Sequence, residues 1–252
     1  MSNPVIDCLL AHRSIRKFTL EPIDETTLEL ILRAGVRAAS AGNMQQYSFI
    51  VVDDPALIKQ LTRFDVPLVV VSVVDQFRTK RWLEVNDGPF YNDQLANVFV
   101  PFWDATIALQ NVVVAAESLG LGTVYIGGVL GMNLQAILDV PEYIFPAGMV
   151  CIGYPDEDPP LRPRLPLEAV VHRNGYQRPT DDEVRAHHRE KDAAWFDLSD
   201  ERRAELEARG IHNFAQLRTL GNYTPEFVAG RSADILANLK RAGFRWPEEN
   251  ES

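Results

Sequence analysis

The chain has 252 residues, 46% of them hydrophobic and 24% charged, which allows one large domain or two small ones and excludes disorder along its whole length. Its 35 acidic against 25 basic residues give a net charge of −10, a surface that repels phosphate backbones, so no nucleic acid is expected as a partner. Two cysteines, Cys8 and Cys151, stand far apart in no CxxC pair, which argues against a disulfide framework or a structural zinc site.

The first apolar stretch ends at Arg13, too short for a signal peptide. The run from Val66 to Val74 is the longest apolar one, and with Pro67 and Ser72 inside it cannot span a bilayer. The expectation is a cytoplasmic protein with no membrane partner. Pro4 to Ala11 reads as a short helix, and Asp24 as the N-cap of a helix running to about Ala39. Tyr47 to Asp53 is rich in β-branched and aromatic residues and predicts a strand. Pro55 to Arg63 reads as a helix, and Leu68 to Val74 as a strand buried on both faces.

The segment from Asp75 to about Asn92 mixes aromatic and charged residues and reads as a functional loop or small subdomain. Asn92 to Leu119 predicts a long helix, apolar on most sides and therefore buried, kinked or divided at Pro101 and ended by Gly120 and Gly122. Thr123 to Ile126 reads as a strand, Met132 to Leu138 as a short helix and Ala147 to Ile152 as another strand. Tyr154 to Pro166 is too proline-dense for regular structure. Beyond Thr180 the chain turns helical and polar, over Asp181 to Asp192, Ser199 to Ala208, Asn213 to Leu220 and Ser232 to Ala242. This tail carries too few apolar residues for a core of its own, so it is expected to pack on the main domain or on a partner subunit.

Four motifs bear on chemistry. His12-Arg-Ser-Ile-Arg16 is a compact anion site or a basic helix end that balances its dipole. Ala38 to Tyr47 combines small residues with Ser40, Asn43 and Gln45, which suits a flat heteroaromatic ligand or a plain polar connection. Tyr125-Ile-Gly-Gly128 ends a buried strand in bare backbone that can be aimed at a ligand or forms a plain tight turn, without the spacing of a dinucleotide fingerprint. Arg162-Pro-Arg164 is a phosphate clamp or a solvated basic patch. Neither His187-His188, lacking helical metal-pair spacing, nor any other group suggests a metal. Trp82, Trp103 and Trp195 read as packing residues, with Trp82 also a candidate wall of a substrate pocket.

HRSIRKF, AASAGNMQQYSFIVV, AAESLGLGTVYIGG and GYPDEDPPLRPRLPLEAVVHRNGY together resemble the FMN-dependent nitroreductase superfamily. The similarity is to its branch of NADPH-linked nitroreductases and flavin reductases with a helical C-terminal extension. The resemblance implies an α+β fold with a central mixed β-sheet flanked by helices. It implies an FMN-binding domain over 1–176, a helical extension over 177–252 and an intertwined homodimer. It implies FMN and NADPH as cofactors, and a ping-pong transfer of reducing equivalents to nitroaromatic, quinone or flavin acceptors. The chemistry would lie on the flavin, with no catalytic side chain. His12, Arg13, Ser14 and Arg16 would hold the FMN phosphate and part of the ring edge, with Arg162 and Arg164 completing the phosphate end. Ser40, Asn43 and Gln45 would approach the flavin from the other subunit, and Tyr125, Ile126, Gly127 and Gly128 would lie along the ring. Arg81 and Trp82, in the segment that matches poorly, are candidate substrate residues. A same-fold flavin enzyme with another reaction, such as reductive dehalogenation or flavin fragmentation, and a non-catalytic flavin-binding protein stay open.

Overall fold

The computed structural model of the chain describes residues 3–245. One compact unit runs to Pro160 and takes up the chain again from Ala233, and the other is Leu161–Ser232. The first begins with helix α1 (Pro4–Leu10), capped by Asn3, and α2 (Glu25–Val36). Asp24 caps α2 as its position predicts, accepting from the Thr27 amide at 3.0 Å. Strand β1 (Tyr47–Val52), helix α3 (Pro55–Leu61), strand β2 (Leu68–Asp75) and helix α4 (Gln76–Glu84) follow. Then come α5 (Ala96–Ser118), β3 (Gly122–Tyr125), α6 (Leu134–Leu138) and β4 (Ile144–Gly153).

The strands form one sheet in the order β1-β2-β4-β3. Its three ladders are antiparallel, and the parallel component is a single bridge between Ser14 and Thr123 beyond β3. β2 and β4 occupy the centre and are buried along their whole length, which is why β2 reads as an unbroken apolar run. Alternation sorts their side chains. Val70, Val150 and Ile152 meet Ile31 of α2 and Leu109, Val112 and Val113 of α5. Val69, Val71, Met149 and Cys151 face Ile58 and Leu61 of α3 on the other side. Burial pushes the Cys151 thiol up to about 11, so it stays an inert core group.

Three expectations need correction. The segment after Asp75 is a helix, α4, in its first half: the Asp75 carboxylate accepts from the Arg78 amide at 2.7 Å and caps it, and no glycine or proline intervenes before Gly88. The long helix starts at Ala96, not Asn92, and continues unbroken through Pro101. Nor is it buried on most sides. Val98, Ala105, Ala108, Leu109, Val112 and Ala116 are buried, but Phe99, Trp103 and Ile107, four residues apart, stand exposed, Trp103 at 65%.

The second unit contains α7 (Asp181–Asp192), with a Thr180–Glu183 capping box, then α8 (Asp200–Ala208) and the short α9 (Phe214–Gln216), which runs into a π-helical stretch, Leu217–Asn222. It has a small core after all: Trp195, Leu206 and Ile211 are buried together against Leu198, Phe214 and Leu217. Helix α10 (Pro225–Arg241) passes from one unit to the other. Its last turns and the residues after it belong to the first unit, where Ala242 and Phe244 are buried with Val74 and Phe145. The compact units divide at Pro160, within the proline-dense segment.

Candidate functional site

Residues 12–19 are threaded between two edges of the first unit. The Ile15 amide donates to the Thr123 carbonyl at 2.9 Å, laying the segment beside β3. Gly122 makes that approach feasible, since a Cβ there would stand 2.8 Å from the Ile15 side chain. On the other side the Thr19 amide donates to Tyr154 and the Asp156 amide to Lys17, at 3.0 and 2.9 Å. The Glu157 carboxylate closes the pairing, accepting from the Arg16 and Lys17 amides at 2.5 and 3.2 Å.

The side chains of this segment diverge. His12 Nδ1 lies 2.8 Å from Glu117 Oε1. The Arg13 guanidinium pairs with Asp158 at 2.7 Å. Arg16 donates to the Ser14 carbonyl at 3.2 Å and has no acidic partner among the described residues. Arg13, Glu117, Glu157 and Asp158 line a cleft of about 580 Å³ together with Cys8. Three carboxylates against one guanidinium make that cleft a poor phosphate pocket. Burial, with the nearby Glu117 charge, also pushes the Cys8 thiol up, away from the reactive thiolate. Arg16 is thus the cation of the motif left open to an anion.

Beyond β3 the Ile126 amide still donates to Met149 at 2.8 Å, and Gly127–Gly131 forms a 3-10 turn. The Tyr125 hydroxyl donates to Gln110 Oε1 at 3.1 Å, and burial, with Glu117 nearby, raises it to about 12. Gly127 is not demanded by the chain's own packing. A Cβ there would meet nothing within 4 Å, and Gly127 is absent from the residues with positive φ.

Residues 40–46 enter the sheet at its opposite edge, ahead of β1. Three spacings of about 4.8 Å separate β1 from β3, so Ser40, Asn43 and Gln45 stand roughly 14 Å across the sheet from the β3 edge. The chain does not bring the two sets together within itself. The loop is strained, with Asn43 and Gln45 at φ of 55° and 47°. Asp104, buried in α5, holds it, accepting from the Ser40 hydroxyl at 2.9 Å and the Ala41 amide at 3.1 Å. Ser40 in turn accepts from the Gln45 amide at 2.7 Å, so its hydroxyl is used internally. Gln45 Nε2 donates to the Val36 carbonyl at 3.3 Å. The Arg78 guanidinium donates to the carbonyls of Gln45 and Tyr47, which fastens α4 to the same loop.

On α4, Arg81 is ion-paired with Glu84 at 2.8 Å and Trp82 is exposed. Arg162 and Arg164 belong to the second unit, where Arg164 donates to the Arg162 carbonyl at 3.3 Å. Asp104, Glu117 and Glu157 were not foreseen as site-building residues. A lone carboxylate inside an apolar helix was the available signal for Asp104, since a buried charge needs partners.

A model of the nitroreductase family matches residues 9–154. The NADPH-flavin oxidoreductase of Vibrio harveyi is 34% identical over 192 residues, 73% of this chain and 80% of the relative. An FMN reductase [NAD(P)H] of Bacillus subtilis is 38% identical over 197 residues, 73% of this chain and 78% of its own. Among solved structures, B. megaterium NfrA2 superposes with a TM-score of 0.81 at 30% identity, covering 98% of this chain and all of the other.

Proposed function

The chain belongs to the nitroreductase family, and from that premise we propose that it binds FMN at the β3 edge and passes reducing equivalents from NADPH to small oxidised acceptors. The observation that carries this reading is Gly127, a glycine that neither backbone nor packing explains, at the end of a strand flanked by the 12–16 segment. A flat ring lying against the backbone explains it. The residues fit FMN: one guanidinium with no acidic partner among the described residues, Arg16, with the Ser14 hydroxyl near it in sequence, for a single phosphate, and a backbone stretch bare of side chain at Gly127 and Gly128 along which the ring can lie. FMN, when bound, supplies a ring at which a nicotinamide donor and an oxidised acceptor alternate, a ping-pong sequence in a cytoplasmic setting. The residues of this chain bind, orient and exclude. Arg16 fixes the phosphate end, and His12 and Tyr125 border the ring. Nitroaromatics, quinones and free flavin are the proposed acceptors, with Arg81 and Trp82 the proposed wall above them.

Ser40, Asn43 and Gln45 cannot cross about 14 Å of their own sheet to the β3 edge, so in this reading a second copy supplies them. The exposed stripe of Phe99, Trp103 and Ile107 on α5 is the proposed seat of that copy.

Heat-released cofactor identified by chromatography tests the reading. FMN at stoichiometric occupancy is expected, bleached anaerobically by NADPH and reoxidised by a quinone. FAD at that occupancy, or a flavin that NADPH does not bleach, would overturn it. A second expected result concerns Gly127→Val. It should weaken FMN binding at least about tenfold, while the flavin-free protein melts within roughly 1 kcal/mol of the parent, because its side chain enters open space. Unchanged flavin affinity by fluorescence titration would remove Gly127 from the site.

A further inference from the structure

Asn238 sits inside α10, where asparagine is a poor helix former, and it is only 6% exposed. A buried amide needs partners, and this one has them. Its Nδ2 donates to the Leu130 carbonyl at 2.9 Å and to the Met132 carbonyl at 2.8 Å, 108 and 106 residues back along the chain. Its Oδ1 accepts from the Arg241 guanidinium, on the same helix. Two carbonyls can face only the NH2 end of an amide, so the orientation of the side chain is fixed. Both of its hydrogens therefore go to the end of the 3-10 turn Gly127–Gly131. The helix also lies close over that turn. A Cβ on Gly131 would stand 3.3 Å from the Asp234 Cβ, and Leu130 packs in one cluster with Ile235 and Leu239. Val129, inside the turn, is fully buried in the core that contains Met149 of β4. The turn is thus held at Val129 from the sheet and at Leu130 and Met132 from α10.

We propose that Asn238 is a positioning residue of the cofactor site: from α10 it sets the Gly127–Gly131 turn, and so decides how the backbone at Gly127 and Gly128 is presented to the flavin ring. The proposal rests on the reading that FMN lies along those two glycines. It deepens that reading by giving the C-terminal helix a part in the site without contact with the ligand. A five-residue 3-10 turn has poor internal hydrogen-bond geometry and does not hold its own shape. Two hydrogen bonds to carbonyls two residues apart fix both its position and its rotation. A ring stacked on backbone tolerates only about 0.5 Å of misplacement, so the support matters as much as the surface itself. An apolar residue at 238 could fill the same space against Leu130 but would leave its carbonyl without this donor, which explains why an amide stands in a helix interior.

The test uses the full chain, with and without FMN. Asn238→Leu keeps the size of the side chain and removes both donors. In the flavin-free protein it should speed hydrogen exchange of the Met132 amide, which closes the turn on the Val129 carbonyl at 3.0 Å, by at least about tenfold. It should also weaken FMN binding roughly tenfold, and change the visible absorption and visible circular dichroism of the flavin that stays bound. Asn238→Asp, equal in size and without donors when ionised, should reproduce the spectral change at a pH well above the carboxyl range, and it serves if the leucine variant folds poorly. Leu239→Ala controls for general loosening of α10. It should lower the melting temperature while exchange at Met132 and the flavin spectrum stay those of the wild type. A Met132 amide that exchanges at the wild-type rate in Asn238→Leu would overturn the proposal. So would a Leu239→Ala protein with the same spectral change, which would assign the effect to the packing of the helix as a whole. If exchange rises in Asn238→Leu while FMN affinity and spectrum are unchanged, Asn238 sets the turn as stated, and it is the placement of FMN along Gly127 and Gly128 that fails.

Discussion

Asp104→Ala is expected to destabilise the flavin-free protein by about 2–4 kcal/mol, as judged by denaturant melts. Asp104 is only 4% exposed, and its carboxylate meets neutral donors, the Ser40 hydroxyl and the Ala41 amide. Removing it takes the shared acceptor from the half-buried Ser40 hydroxyl and from the exposed Ala41 amide, and a hydrogen bond to a charged group contributes about 1.5–3 kcal/mol. It also leaves a void against α5. The loss does not stop there, because Ser40 accepts from the Gln45 amide and the loop holds Asn43 and Gln45 at positive φ. Freed from Asp104, residues 40–46 relax toward unstrained backbone. Asp104→Asn keeps one accepting oxygen and should cost less than half as much. A melt of Asp104→Ala within about 0.5 kcal/mol of wild type would show that the carboxylate does not anchor the loop.

Why Asp104 escapes a reading of the sequence is plain from its geometry. Its partners lie 63 and 64 residues away, and no local periodicity reports such a contact. Glu117 and His12 are 105 apart, and Glu157 reaches back 141 residues to Arg16. What was legible was local. Asp24 announces its helix through the N-cap, and Leu68 to Val74 announces a central strand because burial on both faces leaves no polar alternation. The helix after Asp75 was hidden because its cap is also the last residue of β2 and its composition resembles a loop. Arg13 and Arg16 look equivalent in HRSIR, yet Asp158 takes one and not the other. That choice depends on where the chain following β4 returns. Composition could count the apolar residues of α5, but not which of its faces the sheet would cover.

The uncovered face leads to the other large expected effect. Trp103→Glu should convert a dimer into monomers at low micromolar concentration in sedimentation, and FMN should be lost with it. Trp103 is 65% exposed and lies between Phe99 and Ile107 on one stripe, with Leu95 one turn before Phe99 also exposed. A buried tryptophan anchor at an interface commonly contributes 2 kcal/mol or more, and two-fold symmetry repeats the change on both copies. Burying an unpaired carboxylate adds to the cost. A loss of at least about 4 kcal/mol is roughly a thousandfold in Kd. In the proposed reading flavin follows the dimer, because Ser40, Asn43 and Gln45 stand about 14 Å across the sheet from the β3 edge of their own chain and a second copy would supply them there. Folding of the monomer itself should survive, since the side chain at 103 is mostly exposed within the chain, and far-ultraviolet dichroism would show it. A flavin-loaded wild-type monomer would remove both the seat on α5 and the shared site. A Trp103→Glu dimer with full FMN would keep the shared site but move the interface elsewhere, with the exposed Val5, Ile6, Leu9 and Leu10 of α1 the next face to substitute.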